Sequence, residues 1–341
     1  MLRSLTILSI CLVALTSCST EPELPSERYA QTTNLPPVPV PADDPLTPEK
    51  VELGRRLFYD ERLSADGTVS CASCHRQEAA FSDAGRQTSA GVFGQLGNRN
   101  SPMIVNAAYQ PYFFWDGRAA TLEQQALDAF LSKTEMAADT VAVAALLRTP
   151  EYSQRWMSAF GDTVVTMLKA MRAIAAFERS LVSANSPYDR YIRGDHQAMT
   201  ASQQRGMSLF FSNTTMCSNC HGGPNFTDHS FRNVGLFRHY FDRGRYSVTK
   251  NPDDEALFKT PTLRNVALTP PYMAGGDSDD GELWTLEAVV DHYAKGGFKF
   301  HTQDDRVRKL ALSDQQKADL VAFMHALTDS TVLTNPRFAK P

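Results

Sequence analysis

The chain has 341 residues, 42% of them hydrophobic and 21% charged, long enough for two domains with cores of their own. Its formal net charge of -4 is too mild to point to nucleic acid or an anionic surface as partner. Six cysteines are present, placed so that none is left for a structural disulfide.

In chain order, Arg3 precedes an apolar run over residues 5–15, and small residues follow. This is the anatomy of a secretory signal, and the run is too short for a membrane span. Leu15-Thr16-Ser17-Cys18 has the form of a bacterial lipobox. Residues 1–17 are therefore expected to be a lipoprotein signal peptide. Cleavage would leave Cys18 as a lipidated N-terminus, anchoring a periplasmic protein to the membrane. An ordinary signal peptide with an incidental Cys18 is the plainer alternative. Residues 18–45 contain Pro36-Pro37-Val38-Pro39-Val40-Pro41 and read as a Pro-rich tether. From residue 46 onward helical periodicity dominates, most strongly over 163–183 and 313–327. Strand-like alternation is scarce, so the fold class is all-α.

Two motifs carry the chemistry: Cys71-Ala-Ser-Cys74-His75 and Cys217-Ser-Asn-Cys220-His221. Cys-x-x-Cys-His is the attachment site of a c-type haem. Two thiols a turn apart add to the vinyl groups of one porphyrin, and the adjacent histidine reaches the iron. A lone Cys-x-x-Cys also fits a redox disulfide or half a zinc site; two copies, each closed by His, do not. Two covalently bound haems are expected, and they add apolar core to the packed helices.

The chain also repeats itself. Gly54-x-x-Leu57-Phe58-Tyr59 leads into the first motif and Gly206-x-x-Leu209-Phe210-Phe211 into the second. Phe81-Ser82-Asp83 is echoed by Phe226-Thr227-Asp228, and Ser101-Pro102 with Asn106 by Thr260-Pro261 with Asn265. Asp116-Gly117 with Thr121-Leu122-Glu123 matches Asp280-Gly281 with Thr285-Leu286-Glu287. The order implies two tandem haem domains, residues 46–195 and 196–341. Counted from the shared Thr-Leu-Glu, Ala129 falls where Tyr293 falls, each on the helix face of Gln125 or Val289. If that face overlooks the iron, Tyr293 is able to coordinate and Ala129 is not.

With these motifs the chain resembles the bacterial di-haem cytochrome c peroxidases and their MauG-type relatives, from about residue 46 to residue 328. Arg99-Asn100-Ser101-Pro102, Phe114-Trp115-Asp116-Gly117-Arg118-Ala119, Glu135-Met136 and Leu263-Arg264-Asn265-Val266-Ala267-Leu268-Thr269 carry the likeness. The resemblance implies two cytochrome c-like haem domains. It makes the haem on Cys71, Cys74 and His75 peroxidatic, with Gln125 and Glu135 in its distal pocket. The haem on Cys217, Cys220 and His221 would transfer electrons, with Trp115 between the two. It also implies a calcium ion at Asn100, Thr269 and Pro271, where oxygen donors suit that ion. A homodimer is in keeping with relatives.

Two departures bear on function. Peroxidases that need reductive activation carry a histidine in the loop after the first motif; here residues 76–195 contain none, and Val92 stands near that place. The first haem is therefore expected to be open in its oxidised form. Tyr293 stands where many peroxidases have methionine and the MauG type has tyrosine, which favours high oxidation states. His292, Met273 and His301 are its rivals as ligand of the second iron. His196, His229, His239 and His325 are expected to be surface or hydrogen-bonded residues.

The function implied is reduction of hydrogen peroxide with electrons from a small cytochrome c or similar donor. A MauG-like oxidase, modifying a protein side chain through a high-valent iron state, is the alternative. A di-haem cytochrome that only transfers electrons is a third reading, and Glu135 and Gln125 argue against it.

Overall fold

A computed structural model describes residues 35–273 and 275–341; the expected signal peptide, Cys18 and the first part of the expected tether lie outside the described residues. Among the described residues the structure is helix-rich. Its sheet is a pair of two-residue strands, β1 (Phe231–Arg232) antiparallel to β2 (Phe258–Lys259). Seven helices reach ten residues: α1 Pro48–Tyr59, α2 Leu122–Leu131, α3 Pro150–Phe160, α4 Met167–Ser180, α5 Ala201–Phe210, α6 Leu286–Lys295 and α7 Asp314–His325.

The sequence repeat has a physical basis in this packing. Thr121 and Thr285 of the repeated Thr-Leu-Glu are N-caps, their hydroxyls accepting the N–H of Gln124 and Ala288 to start α2 and α6. In one half α4 packs against α1 and α2; in the other α7 packs against α5 and α6. At each main crossing stands the repeated glycine. A Cβ on Gly54 would lie 1.8 Å from the Ala173 carbonyl oxygen of α4, and one on Gly206 1.8 Å from that of Asp319 on α7. Only glycine permits helix axes that close.

Two cores form around these crossings. Phe58, Phe81 and Phe177 lie in the first, with the rings of Phe58 and Phe177 5.1 Å apart. Phe210, Phe226 and Phe323 take corresponding roles in the second, with Phe210 and Phe323 also 5.1 Å apart. Such edge-on aromatic pairs add about 0.5–1.5 kcal/mol each beyond their buried area. The cores exchange chain ends: Val332 and Phe338 pack in the first, and Tyr188 and Tyr191 pack against the second.

The halves are joined by buried polar bonds. The repeated asparagines Asn106 and Asn265 both have positive φ and meet at Ser183. Asn106 donates to the Ser183 carbonyl at 2.9 Å, and Asn265 to its hydroxyl at 3.0 Å. Arg264 makes a bidentate pair with Asp189 at 2.8 and 2.9 Å, both side chains 1% exposed.

The tether expectation needs a correction at its C-terminal end. Leu35 and Val38 are buried against Val182 and Ala184, and the Tyr109 hydroxyl donates to the Pro36 carbonyl at 3.0 Å. Asp44 forms a buried ion pair with Lys50 at 2.5 Å. Residues 35–45 are part of the folded body, because the Pro-rich run carries apolar side chains that find a groove to fill.

Candidate functional site

Each Cys-x-x-Cys-His segment closes one side of a large cavity. The first cavity, about 1000 Å³, is lined by Cys74, His75, Asn100, Trp115, Gln125 and Glu135. The second, about 850 Å³, is lined by Cys217, Cys220, His221, Trp115, Val289 and Tyr293. Both lie at the upper end of cofactor-pocket sizes, ~300–1,000 Å³.

The donor chemistry of both motifs fits a haem. His75 Nδ1 lies 3.0 Å from the Phe81 carbonyl oxygen, and His221 Nδ1 3.2 Å from that of Phe226. A carbonyl only accepts, so each Nδ1 carries the proton and each Nε2 keeps its lone pair for a metal. Phe81 and Phe226 hold φ of 58° and 52°, and their carbonyls are the ones that meet the imidazoles. This explains why the aromatic follows each motif at similar spacing. Burial lowers the pKa of both imidazoles, which keeps them in the neutral, ligating form. The four thiols are free, and burial lifts all of them above the ordinary thiol range, Cys74 to about 11. Thiols held in the protonated form are slow to enter disulfide exchange.

Glu135 and Gln125 reach the first cavity from α2 and the turn that follows it. Burial raises the Glu135 carboxyl above the usual carboxylate range, against the opposing pull of Arg118 and a hydrogen bond from Ser132. A carboxyl poised nearer neutrality is suited to take up and return a proton. Its turn is clamped from the facing loop: the Val92 N–H donates to the Glu135 carbonyl at 2.8 Å. A Cβ on Gly91 would lie 2.2 Å from the Thr134 carbonyl oxygen and 2.5 Å from that of Glu135. Val92 itself is fully buried in the first core. This loop contributes an apolar anchor and a backbone donor to the Glu135 turn.

Trp115 lines both cavities. Its indole N–H donates to the Asn100 carbonyl at 3.0 Å, and its own carbonyl accepts the Lys259 N–H at 2.8 Å. Asn100, Thr269 and Pro271 all line the first cavity, and the Asn100 amide is 3.3 Å from the Pro271 carbonyl oxygen.

In the second cavity Tyr293 is half-buried, and desolvation drives its phenol far above the usual range. A bound metal reverses that preference by stabilising the anion. The rivals separate. His292 Nε2 is 3.0 Å from the Val234 carbonyl oxygen, outside the cavity lining. His301 is exposed, 3.5 Å from Glu255. Met273 lines both cavities. Ala129, the counterpart of Tyr293, is absent from the lining of the first.

Sequence reasoning missed Lys259 and the role of Arg99. Arg99 ties Asp116 at 2.8 Å to Asp242 at 2.7 Å, and Arg99 and Asp242 line both cavities. The Arg99-Asn100-Ser101-Pro102 segment marked the place without disclosing the partners. Lys259 carried no sequence signal.

Paired cavities over Cys-x-x-Cys-His motifs, in a helix-rich chain, define a c-type haem protein with two haems. The sequence profile of the family described as di-haem cytochrome c peroxidase matches residues 48–197. The chain is 36% identical over 359 residues to cytochrome-c peroxidase IdrP1 of Pseudomonas sp. (strain SCT), covering 96% of this chain and 93% of the relative. It is 38% identical over 305 residues to methylamine utilization protein MauG of Methylorubrum extorquens, covering 88% and 84%. The crystal structure of a MauG-like protein associated with microbial copper homeostasis matches with a TM-score of 0.84 at 36% identity, covering 90% of this chain and 97% of that one. The chain belongs to the di-haem cytochrome c peroxidase family.

Proposed function

We propose that this chain reduces hydrogen peroxide to water with electrons from a small cytochrome c or similar donor. The observation that carries the reading is the difference between the cavities: Glu135 and Gln125 line the first, Tyr293 the second, and Trp115 both. Cys71, Cys74 and His75 would hold one haem and Cys217, Cys220 and His221 the other, each supplying an iron for electron transfer and, at the first, for peroxide cleavage.

The chain's own residues then do the following. Gln125 orients peroxide by its amide. The Glu135 carboxylate takes a proton from one peroxide oxygen and returns it to the other, which leaves as water once the O–O bond breaks. Two electrons and two further protons complete the conversion of one peroxide to two waters. Trp115 carries electrons between the cavities. Tyr293 would help hold the iron of the second cavity, and Asn100, Thr269 and Pro271 would supply oxygen donors to a calcium ion. Residues 46–195 and 196–341 act as two tandem cytochrome c-like domains.

The enzyme is proposed to be periplasmic and anchored by lipid on Cys18; recovery of the mature chain in the soluble fraction with Cys18 unmodified overturns this. A homodimer is in keeping with the family. The buried Val92 and the placement of Tyr293 also suit a MauG-like oxidase acting on a protein side chain. Mixing fully oxidised protein with peroxide and reduced cytochrome c separates the readings. Rapid, repeated oxidation of the cytochrome without pre-reduction is the expected result. Peroxide consumption with negligible cytochrome oxidation overturns it in favour of the oxidase.

A further inference from the structure

Lys259, on β2, is 8% exposed and lines both cavities. Its ammonium has one hydrogen-bond partner, the neutral amide oxygen of Gln110 at 2.7 Å, and no carboxylate of the described residues pairs with it. A buried ammonium with a single neutral partner is costly, because desolvation of the charge goes uncompensated. Its other neighbour in charge terms is His229, whose pKa is lowered by burial and then by Lys259, against the pull of Asp228. Arg99, the other cation on the shared wall, is satisfied by Asp116 and Asp242. The wall therefore holds a cation waiting for an anion. Gln110, which holds the Lys259 ammonium, lines only the first cavity and so favours that side for the charge.

We infer that the Lys259 ammonium binds a propionate carboxylate of the haem held by His75, and by its charge draws the electron towards that haem. This rests on the two-haem peroxidase reading and adds to it a residue that anchors the first haem and sets its potential. Burial makes the pull effective: in a low-dielectric wall a fixed cation stabilises the reduced haem, which carries one more negative charge, far more than it would in water. Trp115 is joined to Lys259 through the backbone bond between them, so the electron's route and the charge that biases it share one wall.

The test uses holoprotein shown by pyridine haemochrome to carry two haems per chain. In the crystal structure of the loaded wild type, Lys259 Nζ is expected within about 3.2 Å of a propionate oxygen of the His75 haem. Lys259→Met is expected to lower that haem's reduction equilibrium constant about tenfold, or ~59 mV for one electron. Lys259→Arg, which keeps the charge, should stay within threefold of wild type. The propionate bending mode in resonance Raman should move in Lys259→Met and be restored in Lys259→Arg. An ammonium left on Gln110 alone in the loaded wild type overturns the assignment, even if the Met variant fails to fold. So does a two-haem Lys259→Met chain titrating at the wild-type potential. Fewer than two haems in the wild type overturns the reading beneath it, and the assignment with it.

Discussion

Glu135→Gln is expected to slow peroxide turnover by about 100- to 10,000-fold while both haems remain bound, the usual contribution of a positioned acid–base group. The substitution keeps the size of the side chain and its hydrogen bonding, and removes only the capacity to accept a proton. The turn should hold, since it is fixed by backbone bonds to Val92 and Ser132 that the variant retains. The pH profile gives a second signature. Burial raises the Glu135 carboxyl, and the base is its ionised form, so wild-type kcat/KM should rise with pH through a pKa above the usual carboxylate range. The variant should lack that limb. Steady-state turnover measured across pH, with haem content checked on each preparation, decides it. A variant within threefold of wild type removes Glu135 from the chemistry.

The second large effect concerns the join between the halves. Arg264→Met is expected to cost about 3–5 kcal/mol of stability, because it leaves Asp189 ionised and buried without its partner. Burial alone would raise the Asp189 carboxyl, but the Arg264 guanidinium overcomes this and holds it below the ordinary range. The pair therefore stabilises the fold above the unfolded-state pKa of about 3.9, and the contribution fades as pH falls through the lowered folded value. Arg264 also donates to the Pro224 carbonyl at 2.8 Å and lies over the Phe226 ring, next to the carbonyl that orients His221. Its loss should loosen the second haem's histidine as well. Adding Asp189→Asn removes the stranded charge and should recover part of the loss. Denaturant unfolding of the single and double variants measures both; a single variant within 1 kcal/mol of wild type refutes the argument.

Much of the fold was legible because the repeat encodes contacts. Gly54 and Gly206 mark helix crossings, Thr121 and Thr285 mark helix starts, and Asn106 and Asn265 mark backbone positions with positive φ. Residue types with one narrow physical use are readable even from a single sequence. The haem motifs of Cys71, Cys74, His75, Cys217, Cys220 and His221 are readable for the same reason; the alignment of the halves singles out Tyr293, while Gln125 and Glu135 come from the family resemblance. Lys259 was not legible, since lysine is by default a surface residue and only the tertiary fold carries it inside. Gly91 gave no warning that it seats against Glu135, because glycine in a loop ordinarily signals a turn. The Pro-rich run over 36–41 reads as tether, because composition records chain stiffness and not the groove that receives Val38. The return of Val332 and Phe338 to the first core is a long-range contact that no local pattern announces.

The two haem sites are alike in attachment and unlike in access, a difference that small-anion binding reads out. Oxidised holoprotein should be titrated with cyanide and followed by EPR. The signal of the His75 haem alone should convert to a cyanide-bound low-spin form. The signal of the His221 haem should stay unchanged until Tyr293→Phe opens its cavity. Cyanide binding at both haems of the wild type, or at the His221 haem alone, would contradict it.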